Sequence, residues 1–326
     1  MKVGVIGTGG MGKNHVRVYS QLEGVKLAAV SDIDLKAAEE ATKNIECAIY
    51  DDYKKMLDAE KLDAVSVVVP TSLHAKVAID AINAGVNTLV EKPISNTLES
   101  AEKIIEAAKK NNVKLTVGHI ERFNPAVQKL KEMVEQNYFG NIISLVARRI
   151  GIFPPIIKDT NVVIDLAVHD IDVFSFLTGL QPKKVTSIMQ KTLNSEVEDS
   201  SNILLEYEGK RGPISGFIQA NWVTPTKIRK LSITGTRGHA ELDYILQSIT
   251  YWSNAGLSEY KDFAEFISKT TSFPKKEIEV KREEPLRLEL KHFVSCIAND
   301  TATLVRPEDA VAALRIALQA LDYKQK

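Results

Sequence analysis

Val3-Gly4-Val5-Ile6-Gly7-Thr8-Gly9-Gly10-Met11-Gly12 is the stretch from which the rest of the chain can be read. Its apolar, β-branched start predicts a first strand over Lys2–Ile6. The glycines that follow predict a tight turn into a helix over Met11–Gln21. In that setting Gly7 permits the turn, Gly9 lets backbone approach a pyrophosphate, and Gly12 lets helix pack closely on strand. Thr8, Gly10 and Met11 complete the loop, and the free N–H groups at the helix start suit phosphate oxygens. Asp32 ends the next predicted strand, Lys26–Ser31, at the distance from Gly12 where a carboxylate accepts hydrogen bonds from an adenosine ribose. Such a carboxylate repels a 2′-phosphate. Ile33 and Asp34 supply no arginine to reverse that preference, so NAD is expected rather than NADP.

Further strands are predicted at Ala64–Val69, Asn87–Val90 and Lys114–Gly118, alternating with helices at Leu35–Thr42, Leu73–Asn83 and Leu98–Lys110. Ala64-Val65-Ser66-Val67-Val68-Val69 is apolar almost throughout, as expected when helices cover both faces of a sheet. Alternating βα units imply an α/β domain, a doubly wound parallel sheet over residues 1–118. The pattern then changes. A helix is predicted at Pro125–Gln136, a strand at Ile142–Ile150 and a helix at Val162–Leu177. Five strands follow in succession, Val185–Gln190, Asn202–Tyr207, Ile214–Trp222, Ile228–Thr234 and His239–Leu242, with short turns such as Glu208-Gly209-Lys210 and Gly235-Thr236-Arg237-Gly238. Residues 119–326 are therefore expected to form an α+β domain on a large, mostly antiparallel open sheet, closed by helices at Pro285–Asn299 and Pro307–Lys324.

Composition narrows the function classes. The 42 basic and 42 acidic residues of the 326 balance to a formal charge of zero, which gives no bulk field for nucleic acid or an anionic membrane. Two cysteines, Cys47 and Cys296, cannot form a disulfide scaffold, and no ligand spacing suggests a metal. No signal peptide is expected ahead of the first strand, and no apolar run approaches the ~18 residues of a membrane span. The expectation is a soluble, cytoplasmic protein.

Three further segments carry chemistry. Pro70, Thr71 and His74 follow a predicted parallel strand and so border the ligand end of the sheet, with Ser72 as a candidate helix cap. His74 reads either as a packing or capping residue or as part of the site. Glu91-Lys92-Pro93 follows the next strand. An ammonium placed there can hydrogen-bond a substrate hydroxyl and stabilise a developing alkoxide, or it can be half of a solvated charge pair. Asp165 and His169, four apart on a predicted helix, share one face. A carboxylate beside an imidazole fixes its tautomer and raises its basicity, which suits a general acid/base; a satisfied buried pair is the alternative. Asp170 and Asp172 fall elsewhere on that helix.

Taken together, these residues resemble the glucose-fructose oxidoreductase/inositol dehydrogenase (Gfo/Idh/MocA) family: the glycine loop, Asp32, the Thr71–His74 turn, Glu91-Lys92-Pro93 and Asp165-x-x-x-His169 occur in the family's order. The resemblance implies a Rossmann domain followed by an open-sheet domain. It also implies a catalytic set of Lys92, Asp165 and His169, with Glu91 and Pro93 beside the cofactor. The implied reaction oxidises a secondary hydroxyl of a sugar, sugar nucleotide or cyclitol with hydride transfer to nicotinamide, and either His169 or Lys92 takes the proton. A narrower likeness is carried by Val117–Pro125, Arg148–Pro155 and Ala240–Tyr244. It is to the branch acting on the 3-hydroxyl of UDP-N-acetylglucosamine, with Asn124 as a further candidate substrate contact and Arg122, Arg148, Arg149 and Lys158 either holding a diphosphate bidentately or serving as surface or sheet-edge charges. The stretch Asp159–Ile164 departs from the family's usual small glycines, which makes a simple polyol less secure as substrate.

Two other functions fit the same residues: an NAD-dependent glycosidase with no net redox change, and a non-catalytic NAD-binding regulator. The strand-rich segment Lys184–Thr250 offers a broad sheet face, and Ile214, Phe217, Ile218 and Trp222 are expected to meet a second copy in a homodimer or homotetramer, as the family implies.

Overall fold

The computed structural model describes residues 1–152, 160–193, 196–254, 262–270 and 275–322. Strands β1 (Lys2–Ile6), β2 (Lys26–Ser31), β3 (Ala48–Tyr50), β4 (Ala64–Val67), β5 (Asn87–Glu91) and β6 (Leu115–Gly118) form one parallel sheet in the order 3-2-1-4-5-6. The order reverses between β1 and β4, so the crevice beyond their carboxyl ends is the topological switch point where such sheets bind ligands. Helices α1 (Gly10–Gln21), α2 (Leu35–Ala41), α3 (Tyr53–Ala59), α4 (His74–Asn83) and α5 (Leu98–Asn111) connect the strands. Their starts are fixed locally. Asp34 accepts from Lys36 and Ala37 N–H, Asp52 from Lys54 N–H, and Thr97 from Ser100 N–H; caps of this kind stabilise by about 1 kcal/mol each. β3 and α3 escaped the sequence reading because β3 is a three-residue edge strand with no fully buried position.

The compact unit containing this sheet comprises Met1–Phe123 and also Glu284–Arg315. The boundary expected at 118/119 thus falls short of the observed one, and the chain returns to the first unit late. The cause is a helix, Pro285–Ala298, whose Leu286, Leu290 and Phe293 are buried in one cluster with Val16, Val18 and Tyr19 of α1. Periodicity shows that this helix has an apolar face but not which distant surface receives it.

The second unit, Asn124–Glu283 with Ile316–Lys326, is built on eight strands. These are β7 (Ile142–Ile152), β8 (Lys184–Gln190), β9 (Ser200–Gly209), β10 (Gly212–Asn221), β11 (Val223–Gly235), β12 (Gly238–Asp243), β13 (Ser248–Ser253) and β14 (Lys275–Ile278), ordered 14-13-12-11-7-10-9-8. Only β7 and β10 run parallel; every other neighbouring pair is antiparallel. Helices α6 (Pro125–Glu135) and α7 (Val168–Thr178) belong to this unit, as does α8 (Phe263–Thr270). Side chains alternate along β7: Leu145, Ala147 and Arg149 are buried, while Val146 and Arg148 are exposed. On β10, Ile218 is buried, and a Cβ on Gly216 would lie 3.0 Å from the Phe174 ring of α7, so that ring packs directly on the strand backbone.

That alternation corrects one expectation. Ile214 and Ile218 share the covered face of β10, and Trp222 is 1% exposed, so none of the three is available to a second copy. Of the four residues named, Phe217 alone lies on the open face, in a row with Leu204 of β9 and Val146 of β7. A period of two sends Phe217 and Ile218 to opposite faces whatever their common hydrophobicity.

Candidate active site

The glycine loop is built for a dinucleotide. Gly7 has φ +91°, and a Cβ there would sit 2.3 Å from the Val68 carbonyl oxygen; a Cβ on Gly12 would sit 2.0 Å from that of Gly7. Both positions are closed to any side chain. At Gly9 and Gly10 the reverse holds, since a Cβ would meet nothing within 4 Å. The start of α1 is therefore open and has no side-chain cap and no acidic residue in its first turn, which leaves its N–H groups for a phosphate. Thr8 is fully buried, and its N–H and hydroxyl both donate to Asp32 Oδ2, at 2.6 and 2.9 Å. Asp34 N–H donates to Asp32 Oδ1 at 2.9 Å. The Asp32 carboxylate is thus oriented by the loop and stays half-buried at the end of β2, where ribose hydroxyls fit. Met11, half-buried, follows at the second position of α1.

The next two strand ends carry the other first-unit residues. Past β4, Pro70 is exposed, Thr71–Leu73 form one 3₁₀ turn, and His74 opens α4. Ser72 does not cap that helix, whose N-cap position is Leu73 with no side-chain bond. His74 is buried. Its Nδ1 lies 2.8 Å from the Pro93 carbonyl oxygen and its Nε2 2.9 Å from that of Val69. Both oxygens only accept, so a neutral ring donates to one of them and an imidazolium to both. Past β5, Glu91 and Pro93 are buried, Lys92 is half-buried, and the Lys92–Pro93 peptide is cis. Glu91 Oε1 lies 3.0 Å from His15 Nε2, and Oε2 accepts the Lys92 N–H at 3.1 Å. Burial pushes the Glu91 carboxyl up, but the His15 contact and the charge of Lys92 outweigh it and hold the group below the usual carboxylate range.

In the second unit, Asp165 and His169 are both half-buried. The residues between them do not form an ordinary helix. Val163–Ala167 is a π-helical turn leading into α7, and Asn161 fixes its start by accepting from Val163 and Ile164 N–H at 3.1 Å each. π turns widen a helix by one residue and re-aim the side chains on it, a feature common at functional sites. Asp170 is fully buried. It receives Arg149 Nε at 2.7 Å, Arg149 Nη2 at 3.1 Å and the Tyr244 hydroxyl at 3.0 Å, and the Arg149 guanidinium lies 4.7 Å over the Tyr244 ring. Asn124 caps α6 by accepting from Ala126 N–H and donates to the Tyr244 carbonyl.

Two of the candidate substrate arginines, Arg148 and Arg149, face opposite ways. Arg148 is exposed on the open face of β7, its Nε donating to Gln219, whereas Arg149 is buried against Asp170 on the other face. Neighbouring residues of a strand diverge, so this pair cannot clasp one diphosphate. Arg122 lies in the first unit, 4% exposed, where Nη1 donates to Asp309 at 3.0 Å and to the Leu304 carbonyl at 3.3 Å. Lys158 lies outside the described residues. Among the described residues no cluster of histidine, cysteine, aspartate or glutamate is arranged to hold a metal ion, and no helix is long and apolar enough to cross a membrane.

Comparison with known proteins agrees with this geometry. Residues 1–119 match the profile described as "Oxidoreductase family, NAD-binding Rossmann fold", and residues 127–241 match the GFO/IDH/MocA C-terminal domain. The chain belongs to the GFO/IDH/MocA family. Within it, the chain is 28% identical to UDP-N-acetylglucosamine 3-dehydrogenase of Acidithiobacillus ferrooxidans over 324 residues, covering 99% of this chain and 96% of that one. The solved structure of that enzyme superposes with a TM-score of 0.85 over 98% of this chain and 96% of the other, at 27% identity. Inositol 2-dehydrogenase 2 of Saccharopolyspora erythraea is 30% identical over 216 residues, 64% of this chain and 63% of that one. Levoglucosan dehydrogenase in complex with NADH and L-sorbose shares the fold, with a TM-score of 0.84 at 19% identity over 99% of this chain and 96% of the other. The protein is thus an oxidoreductase on a GFO/IDH/MocA scaffold.

Within that scaffold the sequence reading missed His15, which reaches Glu91 from α1 and is fully buried. A signal was present, since His15 stands beside Val16 on the face of α1 turned to the sheet, and a polar ring there needs a polar partner. The structure also predicts how stability depends on pH. Burial pushes the His74 imidazole below its ordinary value, against the pull of the two carbonyls and Glu91, and burial does the same to His292. Each histidine is therefore neutral in the folded chain where the unfolded chain takes up a proton. The stability they contribute is complete above the unfolded value of about 6.5 and is lost as pH falls towards the lower folded values. Thermal unfolding midpoints measured from about pH 8 to about pH 5 should decline over that interval, and less steeply in His74→Gln.

Proposed function

We propose that the chain is an NAD-dependent dehydrogenase of a secondary hydroxyl on a sugar nucleotide, with the 3-hydroxyl of UDP-N-acetylglucosamine as the first substrate to test. The carrying observation is the end-to-end likeness of the chain to the Acidithiobacillus ferrooxidans enzyme, whereas its likeness to the inositol dehydrogenase named above covers less than two thirds of either chain. The stretch before Asp165, which carries the fully buried Val162 and Val163 and none of the family's usual small glycines, supports a substrate other than a simple polyol. In this reading Lys92 hydrogen-bonds the reacting oxygen and shares its developing charge, His169 takes the hydroxyl proton, and Asp165 orients His169. Bound NAD supplies the hydride acceptor. With Arg122 and Arg149 already matched to Asp309 and Asp170, the arginines do not support this substrate; the likeness over the full length does.

Calorimetric titration of the NAD-loaded protein with UDP-N-acetylglucosamine, UDP-glucose, glucose and myo-inositol tests the substrate, with absorbance at 340 nm following NADH. Binding and turnover of the first compound alone are expected. Turnover of myo-inositol without binding of any UDP-sugar would overturn the assignment.

Asp32 underlies the choice of NAD. Asp32→Ala should weaken NAD by roughly tenfold and narrow the preference over NADP, read as the ratio of the two kcat/KM values. An unchanged ratio would show that discrimination lies elsewhere. We further propose that a second copy covers the open face of the eight-stranded sheet, where Leu204, Phe217 and Val146 stand in one row at 49%, 37% and 36% exposure. Light scattering should then give a dimer or tetramer for the native chain and smaller species for Phe217→Arg. A native monomer would refute it.

A further inference from the structure

We propose that His15 and His74 are positioning residues for Lys92, gripping the turn that carries it from both sides. The proposal rests on the reading of Lys92 as the group that contacts the reacting oxygen. On the N-terminal side, the Lys92 N–H donates to Glu91 Oε2, and the other oxygen of that carboxylate is held by His15 from α1. On the C-terminal side, the carbonyl of Pro93 meets His74 Nδ1, and the opposite nitrogen of the same ring meets the carbonyl of Val69 just past β4. The Lys92 backbone is thereby tied to α1, which follows β1, and backed by a ring that lies between the turn and the end of β4, so both contacts come from the neighbourhood of the switch point.

Two details argue that these rings are kept for their contacts and not for their volume. His15 is fully buried, yet its Nδ1 has no hydrogen-bond partner among the described residues. A buried polar atom left unsatisfied costs about 1–3 kcal/mol, which an apolar side chain of similar size avoids. The Glu91 carboxylate that His15 holds has space only because β6 ends in Gly118; a Cβ there would lie 2.8 Å from it. His74, for its part, sits within hydrogen-bond distance of two backbone oxygens beyond adjacent strands; its neutral ring donates to one of them and spans the gap to the other.

The test compares His15→Leu, His74→Leu and the conservative His15→Gln and His74→Gln. The first readout needs no substrate: competitive acetylation of Lys92 by acetic anhydride, measured by peptide mass spectrometry against the exposed Lys36 and Lys61 of the same unit. The leucine variants should change the relative rate at Lys92 by at least about threefold and lower kcat by roughly 10- to 100-fold, with NAD affinity held within about threefold. The glutamine variants should recover part of both effects, and they keep the comparison readable where a leucine variant does not fold. In a Lys92→Ala background the same changes should cost no more than about twofold in kcat/KM, because a residue acting through Lys92 has nothing left to position. An unchanged Lys92 acetylation rate, or losses that add in full to that of Lys92→Ala, would overturn the proposal. Absence of turnover with every sugar would instead overturn the assigned reaction, while the acetylation result still decides the role of the two histidines.

Discussion

Lys92→Ala should lower kcat/KM by about a thousandfold and leave the Kd for NAD within about threefold. The expected size follows from what the ammonium is asked to do. A donor aimed at an oxygen where charge develops is worth roughly 10²–10³ in rate, and a further share is lost if the ammonium also takes the proton. NAD affinity should survive because the substitution leaves the other contacts of the turn in place. Glu91 still faces His15, the residue 92 N–H still has its acceptor, and the pyrophosphate end of the cofactor is served by Gly9, Gly10 and the start of α1. Stopped-flow NADH formation and a separate NAD titration check the two halves. If kcat/KM and NAD affinity fall together by the same factor, Lys92 is a binding residue and the chemistry must be reassigned to His169. If kcat/KM stays within about threefold, Lys92 has no part in the reaction.

Arg149→Met should destabilise the second unit by about 3–5 kcal/mol, because it leaves the buried Asp170 carboxyl without its partner. The pair is 5% and 1% exposed at its side chains, and the Tyr244 hydroxyl that still reaches Asp170 once the guanidinium is gone carries no charge. For a unit of this size the loss corresponds to a fall in melting temperature of roughly 10–15 °C. The double change Arg149→Met with Asp170→Leu should return much of that stability, since removing both charges removes the penalty as well as the attraction. Differential scanning calorimetry of the single and double variants decides this. A single variant that melts within about 2 °C of the native chain would show that Asp170 does not depend on the arginine.

Local patterns carried much of this structure in the sequence and tertiary contacts carried the rest. The glycine loop, Asp32 and the strand before Glu91 are short-range signals, and most of the expected elements fell within two residues of their ends; β11 starts five residues earlier than expected, and β13, α8 and β14 were not anticipated. The π turn at Val163–Ala167 was not legible, since no proline or glycine marks it and the four-residue spacing of Asp165 and His169 fits an α-helix equally well. The divergence of Arg148 and Arg149 was legible, because strand alternation alone separates them; the attraction of two adjacent guanidinium groups for a diphosphate obscured it. His15 and the Pro285–Ala298 helix depend on partners far away in the chain, and a single sequence does not state such pairings.

The late return of Glu284–Arg315 to the first unit has a consequence on the ribosome. Residues 1–123 leave the exit tunnel with α1 still missing Leu286, Leu290 and Phe293, the side chains that complete its cluster. At ~5–20 residues per second, the intervening Asn124–Glu283 segment keeps that apolar surface waiting on the order of 10–30 s. The dinucleotide-binding half, although first in the chain, therefore finishes folding near the end of synthesis. Nascent chains halted before Glu284 should be held by chaperones and should fail to retain NAD.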